Sequence, residues 1–230
     1  MRTDEQTAQA KAPLSRERIV LAAVELADRE GIEAVTMRKL ADVLAAGAMS
    51  LYYYVPNKDD LLDGMIDAVK GEIEPPASDG DWRTELRKRA ASTRHALQRH
   101  GWAVGLMESR TQRPGPANLK LHDAVLGCLR EAGFSIEDAI HAYSVQDAYI
   151  YGFALQEQSV PAADEIADVV DRQVEHIESK PEIEALAEAY PYLAEVVAGY
   201  VGPSGYDFGK EFEYGLDLIL DALEQRRTAG

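Results

Sequence analysis

The amino-acid sequence predicts an all-α protein. Apolar residues recur at spacings of three and four along most of the chain, which is typical of one buried helix face. No stretch between turn residues alternates polar and apolar positions as a strand does. The 230 residues are 46% hydrophobic and 28% charged, so the chain holds enough apolar material for a folded core.

The first two helices have clear start and stop signals. Residues 1–13 are polar and are predicted to form a flexible arm. Ser15 begins the first helix, and Gly31 ends it because glycine adopts the backbone conformation that often follows a helix. Thr36 is the predicted N-cap of a short second helix, with a hydrophobic staple across the cap.

Two further short helices complete a predicted N-terminal domain over residues 14–74. The small residues 45–47 form a turn, and the third helix follows over residues 48–54. Asn57 caps the fourth helix, whose first turn is acidic. Prolines and a glycine over residues 74–80 then interrupt the helical pattern, which marks the boundary of the domain.

The rest of the chain is predicted to form a second helical domain over residues 81–227. Its helices are predicted to start at Asp79 or Asp81, near residue 117, at Ser135 and near residue 207. The acidic stretch 161–180 favours no single structure.

The composition excludes several classes of protein. No run reaches the roughly 18–20 apolar residues that a membrane helix needs, and the polar N-terminus is unlike a signal peptide, so we expect a cytoplasmic protein that binds no membrane. The single cysteine, Cys128, excludes an internal disulfide and a multi-cysteine metal site.

No motif supports an enzyme. The histidines form no paired zinc motif, and the sequence lacks a nucleophile elbow and a phosphate loop. His95 and His100 are expected to face solvent, and Cys128 is expected to pack inside an apolar helix. We therefore expect no enzymatic activity, no metal and no cofactor.

The formal net charge of −16 is unevenly distributed. Residues 1–74 carry a net charge of −5, whereas residues 160–225 carry −13. Since most of the surplus acid lies in the C-terminal third, the charge is compatible with a local DNA-binding face near the N-terminus.

Two short helices joined by a small turn describe a helix-turn-helix, whose second helix enters the major groove of DNA. The positions predicted to face the groove are Ala48, Met49, Ser50, Tyr52, Tyr53 and Tyr54. The predicted phosphate contacts are Thr36, Met37, Arg38 and Lys58. Alternatively, the three tyrosines only pack between helices.

The residues of this motif resemble the DNA-binding region of the tetracycline-repressor family. The resemblance covers about residues 15–70 and rests on three stretches, residues 31–44, 51–55 and 57–62. Shorter stretches between residues 81 and 223 resemble the regulatory domain of the tetracycline repressor proper. The resemblance implies a two-fold homodimer that represses transcription from a pseudo-palindromic operator and is released by a small organic effector.

The turn is one departure from the family pattern. The family usually has Gly-Val where this chain has Ala45 and Ala46. Because a left-handed alanine costs about 1 kcal/mol, we expect Ala45 to keep a negative φ and the turn to be slightly altered.

The resemblance also places the dimer interface and the effector site in the second domain. On the last helix one stripe is predicted to form the seam between subunits, namely Phe208, Phe212, Leu216, Ile219 and Leu223. The predicted effector contacts are Arg89, Thr93, Met107, His122, Val125, Leu129, Ile140, Tyr143, Asp147 and Tyr151. In the plainer interpretation the apolar stripe and the tyrosines pack within the core of one subunit. His122 would then form a surface pair with Asp123, and Asp147 would be a polar group of the interface.

A magnesium-bound tetracycline is not the expected effector. The histidine and glutamate that help to hold the drug-bound magnesium in the tetracycline repressor correspond here to Met107 and Gln156. Neither a thioether nor a neutral amide is a good ligand for magnesium. The alternative function is an acidic helical interaction protein that binds no specific DNA sequence.

Overall fold

The structure is a computed structural model that describes residues 13–109, 114–159, 187–201 and 206–229. The predicted arm, apart from Pro13, and the acidic stretch 161–180 lie outside these residues. Within them the chain is helical and contains no strand. The helices are α1 Arg16–Glu30, α2 Met37–Val43, α3 Ala48–Tyr54, α4 Lys58–Gly71, α5 Trp82–Arg99, α6 Ala103–Ser109, α7 Pro116–Glu131, α8 Ile136–Ser159, α9 Pro191–Val196 and α10 Phe208–Ala229.

The helix starts follow the predicted capping residues. Ser15, Thr36, Asn57, Asp81 and Ser135 each accept a hydrogen bond from the backbone N–H three residues later, at 2.8–3.2 Å. Each bond satisfies a donor that the first helical turn would leave unpaired. The capping predictions are therefore confirmed.

The turn between α2 and α3 contradicts the expected negative φ of Ala45. Ala45 has a φ of 50°, and it is the only non-glycine residue with positive φ in the described chain. Its neighbour Ala46 donates its backbone N–H to the carbonyl oxygen of Ala41 at 2.9 Å, as in a Schellman motif. The chain therefore keeps the left-handed turn, at a cost of about 1–2 kcal/mol for the alanine.

Helix α4 joins two packed regions of the protein. Its first half packs on α1, and the N-terminal core includes Ile19, Leu40, Leu51 and Leu61. Its second half packs on α6 and α7. A further core forms among α5, α7, α8 and α10. A movement of α4 would consequently change the packing against α1 as well as the packing against α6 and α7.

Candidate DNA-binding surface and effector cavity

Helix α3 presents an exposed face between two buried anchors. Leu51 and Val55 are fully buried, as predicted, and fix the helix against the N-terminal core. Met49 and Tyr53 are 82% and 84% exposed, and Tyr52 is also exposed. The three consecutive tyrosines therefore do not all pack in the core, and the alternative in which they only pack between helices loses its main support.

Two cations flank this exposed face without an ion pair. Arg38 on α2 and Lys58 at the start of α4 are exposed, and neither has a carboxylate partner among the described residues. Lys39 differs, because it is paired with Glu30. Of the remaining predicted contacts, Thr36, Ala48, Ser50 and Tyr54 are exposed and Met37 is half-buried.

A cavity of about 720 Å³ opens between α4, α6, α7 and α8. Five of the predicted effector contacts line it, namely Met107, His122, Tyr143, Asp147 and Tyr151. Its size lies within the range of small-molecule sites, and its wall combines apolar side chains with a few polar groups.

The other predicted effector contacts do not reach the cavity wall. Arg89 and Thr93 are fully buried behind it, and Val125 and Leu129 belong to the core among α5, α7, α8 and α10. Ile140 is 48% exposed and lies outside the cavity lining. The sequence pattern thus placed residues on one helix face, but it did not show which of them line the cavity and which are buried behind its wall.

Sequence reasoning missed much of the cavity wall. The additional lining residues are Ile66, Lys70, Pro114, Asn118, Leu119, Ser144, Ala148, Gly152 and Leu155. The four on α8 lie beside the predicted stripe of Tyr143, Asp147 and Tyr151, so a wider stripe would have included them. No local pattern identified Lys70, because its role depends on the packing of α4 against distant helices.

A hydrogen-bonded chain crosses the cavity wall. The Nδ1 atom of His122 lies 2.8 Å from the carbonyl oxygen of Asn118, and its Nε2 lies 2.6 Å from the hydroxyl of Tyr143. A neutral imidazole satisfies both contacts if Nδ1–H donates and Nε2 accepts from the phenol. Burial, followed by the nearby charge of Asp147, raises the pKa of Tyr143 well above its usual value, so the phenol keeps its proton.

The carboxylate of Asp147 is neutralised from behind. Arg89, which is fully buried, forms an ion pair with Asp147 and donates a second hydrogen bond to the Oε1 atom of Gln146 at 2.9 Å. Asp147 is the only carboxylate in the described cavity lining. The pair therefore contributes no net charge to the cavity.

Lys70 brings a positive charge to the same cavity. Its side chain is 7% exposed, and its ammonium donates a hydrogen bond to the hydroxyl of Tyr151. The Nζ atom also lies 4.8 Å from the centre of the Tyr151 ring. Lys70 and Tyr151 thus form a polar corner in an otherwise apolar part of the wall, near Ile66 and Met107.

Contacts at both ends tie α4 to its surroundings. Near its start, the Nη2 atom of Arg16 on α1 lies 3.2 Å from a carboxylate oxygen of Asp60. Near its end, Asp67 accepts hydrogen bonds from the backbone N–H groups of Ala117 and Asn118, at 3.3 and 2.9 Å. Asp67 thereby caps α7 and couples it to α4.

A buried histidine adds a third link. The ring of His100 lies 2.8 Å from Asp28 on α1 and 3.1 Å from Glu72 after α4, and Trp102 donates to the same Asp28. His100 is only 6% exposed, so the expectation that it faces solvent is wrong. The fold brings Asp28, Glu72 and Trp102 around its ring and buries it, whereas His95 is exposed as expected.

The stripe predicted to form the dimer seam on α10 is partly buried within its own chain. Phe212, Leu216 and Leu223 are buried in the core of the same chain, and Phe208 and Ile219 are half-buried. Phe212 and Leu216 therefore pack within one subunit, as in the plainer interpretation, whereas Ile219 and Leu223 also border the surface. An apolar groove on the outside lies between α8 and α10, lined by His141, Val145, Leu218, Ile219, Ala222, Leu223 and Arg226.

The described residues show neither a metal site nor a membrane span. They contain no cluster of three or more histidine, cysteine, aspartate or glutamate side chains that could hold a metal ion. None of their helices is both long and apolar enough to cross a bilayer. Cys128 is buried, and burial raises the pKa of its thiol to about 11.

Comparison with known families matches both parts of the chain. The family of bacterial regulatory proteins of the tetR type matches residues 19–65, and the tetracyclin repressor-like C-terminal domain matches residues 74–227.

Individual proteins are similar over most of the chain. The HTH-type transcriptional repressor DrrR1 of Streptomyces coeruleorubidus is 35% identical over 93% of this chain and 78% of its own length. The class A tetracycline repressor from transposon 1721 of Escherichia coli is 32% identical over 91% of this chain and 90% of its own. The structure of ActR from Streptomyces coelicolor in complex with actinorhodin superposes with a TM-score of 0.74 at 29% identity, covering 94% and 99% of the two chains.

Proposed function

Because the chain belongs to the tetracycline-repressor family of DNA-binding transcriptional regulators, we propose that α3 reads its operator and that an organic effector in the cavity releases it. The protein is accordingly a regulator and not an enzyme. DrrR1 and the class A tetracycline repressor are named as repressors, which supports repression as the outcome of DNA binding.

The observation that carries the DNA-binding proposal is the exposed face of α3 between Arg38 and Lys58, which have no carboxylate partner in the described part of the chain. Exposed Tyr52 and Tyr53 offer hydroxyls to base edges or phosphates, and Met49 offers an apolar contact to a thymine methyl. None of the positions predicted to face the groove is Arg, Asn or Gln, so we infer that specificity depends on apolar fit and DNA shape.

Fluorescence anisotropy with a labelled duplex from the region upstream of its own gene tests this assignment. We expect Tyr52→Ala and Lys58→Ala each to weaken binding by about 1–3 kcal/mol. Lys58→Ala should also lower the salt slope by about one unit, because one phosphate contact is lost. Lys120→Ala, an exposed lysine on α7, is the matched control and should change neither value. Wild-type binding by both test variants would refute the assignment.

The effector proposal rests on the cavity and its relation to α4. Ile66 and Lys70 on α4 line the cavity, while Lys58 at the other end of the same helix lies beside α3. A ligand that binds best when α4 is displaced would therefore move the DNA-binding helices, and it weakens DNA binding only through that difference in affinity. ActR, which was solved in complex with actinorhodin, supports a small organic molecule as the class of effector.

Regulators of this family bind operator DNA as homodimers. We propose that the outer groove between α8 and α10 forms the seam between subunits, because Val145 and Leu218 are 45% and 56% exposed there. Two copies of α3 related by two-fold symmetry would then require a pseudo-palindromic operator.

We propose that the DNA-binding domain covers residues 14–74 and the effector and dimerisation domain residues 81–227. A regulator of transcription acts in the cytoplasm of a bacterium, which is where we propose that this protein is found.

A further inference from the structure

We propose that the effector is a neutral hydroxylated molecule whose hydroxyl donates a hydrogen bond to the carboxylate of Asp147 beside Tyr143. This inference rests on the proposed function of the cavity and names the chemical class of the ligand. It concerns the side of the cavity that α7 and α8 form, where the described side chains present more acceptors than donors.

The hydrogen bonds around His122 use up the donors on this side of the cavity. Because the Nδ1–H of His122 donates to the carbonyl oxygen of Asn118, its Nε2 carries no proton and accepts from the Tyr143 hydroxyl. The Tyr143 hydroxyl also interacts with the carboxylate of Asp147. One phenolic proton cannot serve both the ring nitrogen and the carboxylate, so the group lacks at least one donor.

Asp147 presents the strongest acceptor of this group. Its Oδ1 atom takes the ion pair with Arg89, and apart from the shared Tyr143 proton the described chain supplies no donor to its second oxygen. A hydrogen bond to a charged acceptor is shorter and stronger than one between neutral groups. Since Arg89 already balances the charge of the carboxylate, a neutral hydroxyl fits better than an ammonium, which would add a positive charge beside Arg89.

A second unsatisfied acceptor belongs to the same wall. The side-chain Oδ1 of Asn118, which lines the cavity, is buried and accepts no hydrogen bond from the described chain. Buried polar groups without a partner are rare in folded proteins and call for an explanation. The Nε of Arg89 is an unpaired donor, but Arg89 lies behind the wall. Lys70 and Tyr151 are hydrogen-bonded to each other, so the donor shortage is confined to the α7–α8 side.

The rest of the wall indicates the body of the ligand. Ile66, Met107, Leu119 and Leu155 offer apolar surface. The volume of about 720 Å³ accommodates an organic body of about three fused rings. The combination favours an apolar body that carries a hydroxyl at one edge over a small polar molecule, which would leave most of the apolar wall in contact with water.

Three probes with one ring system test the assignment, namely the hydroxymethyl, ethyl and aminomethyl derivatives of anthraquinone, each substituted at the same ring position. The first donates a hydrogen bond as a neutral group, the second has the same shape without a donor, and the third is a cation at neutral pH. Isothermal titration calorimetry on the full-length protein gives the ratios of their affinities. We expect the wild type to bind the alcohol about tenfold to a hundredfold more tightly than the ethyl compound, the range for a hydrogen bond to a charged group, and more tightly than the ammonium.

A double variant isolates the carboxylate. Arg89→Met combined with Asp147→Leu removes both charges of the buried pair, whereas a change of Asp147 alone would leave a buried arginine unpaired. This variant should remain folded by circular dichroism and should lose the preference for the alcohol. Arg87→Met combined with Asp217→Leu is the matched control, because it replaces an exposed ion pair between α5 and α10 by the same residue types. The control should keep the wild-type ratio.

Tyr143→Phe tests the count of donors separately. This variant removes the hydroxyl that shares its proton between His122 and Asp147, so both acceptors are left for the ligand. The preference for the alcohol should therefore rise by about twofold to tenfold, the range for a neutral hydrogen bond. A wall that recognised the alcohol through the phenol itself would instead lose preference in this variant.

The outcomes separate this inference from the proposed function. Loss of the alcohol preference in the double variant, together with its increase in Tyr143→Phe, supports the inference. Equal binding of the alcohol and the ethyl compound by the wild type, an unchanged ratio in the double variant, or tightest binding of the ammonium overturns it, while the cavity remains an effector site because the probes still bind.

If the double variant does not fold, Tyr143→Phe decides, and an unchanged or lower ratio there overturns the inference. Failure of all three probes to bind the wild type would contradict the cavity as a site for organic molecules of this size, and the inference would fall with it.

Discussion

The left-handed alanine in the helix-turn-helix predicts that glycine will raise the free energy of unfolding at Ala45 and lower it at the adjacent Ala46. Ala45 has a φ of 50°, where a Cβ costs about 1–2 kcal/mol. Ala45→Gly removes this cost but gives the unfolded chain extra freedom worth about 0.4–1 kcal/mol. The free energy of unfolding should therefore rise by about 1 kcal/mol, which corresponds to an increase in Tm of roughly 2–4 °C for a chain of this size.

Ala46→Gly is the matched control. Ala46 is not among the residues with positive φ, and its methyl group is partly buried against the N-terminal core. Glycine there gains nothing from strain relief, so the free energy of unfolding should fall by about 0.4–1 kcal/mol or more.

Urea unfolding followed by circular dichroism measures both variants, at one fixed protein concentration because dimerisation contributes to stability. Operator affinity should stay close to wild type in Ala45→Gly, since the exposed face of α3 is unchanged. Destabilisation by Ala45→Gly, or a change of the same sign in both variants, would show that the turn is not strained as described.

Two further predictions concern the interface and the cavity. Leu218→Glu should yield a folded protein that sediments as a monomer. Leu216→Glu should unfold, because it places a carboxylate in the core. A folded Leu218→Glu dimer would refute the proposed seam. Asp147→Asn leaves the buried charge of Arg89 without its ion pair and should lower the free energy of unfolding by about 3–5 kcal/mol, measured by urea titration. The exposed pair of Asp217 supplies the control, since Asp217→Asn should cost less than about 1 kcal/mol; similar losses in both would contradict the role of burial.

Local sequence determined the helical class, the boundaries of most helices and the orientation of α3. Capping by Ser15, Thr36, Asn57 and Ser135 depends on a side chain and a backbone donor three residues apart, so it needs no tertiary contact. The inward positions of Leu51 and Val55 likewise follow from helical periodicity alone.

Tertiary structure decided which of the candidate faces became a core, a cavity or an exposed groove. Helix α10 carries apolar residues on two adjacent stripes, one through Phe212 and Leu216 and one through Leu218 and Ala222. Periodicity shows that both are apolar, but only the packing of α5 and α8 against the first stripe leaves the second exposed. Tertiary structure also decided the burial of Lys70 and Arg89, because their contacts join residues far apart in sequence. The cost of burying a charge is offset only by partners that the fold brings to it.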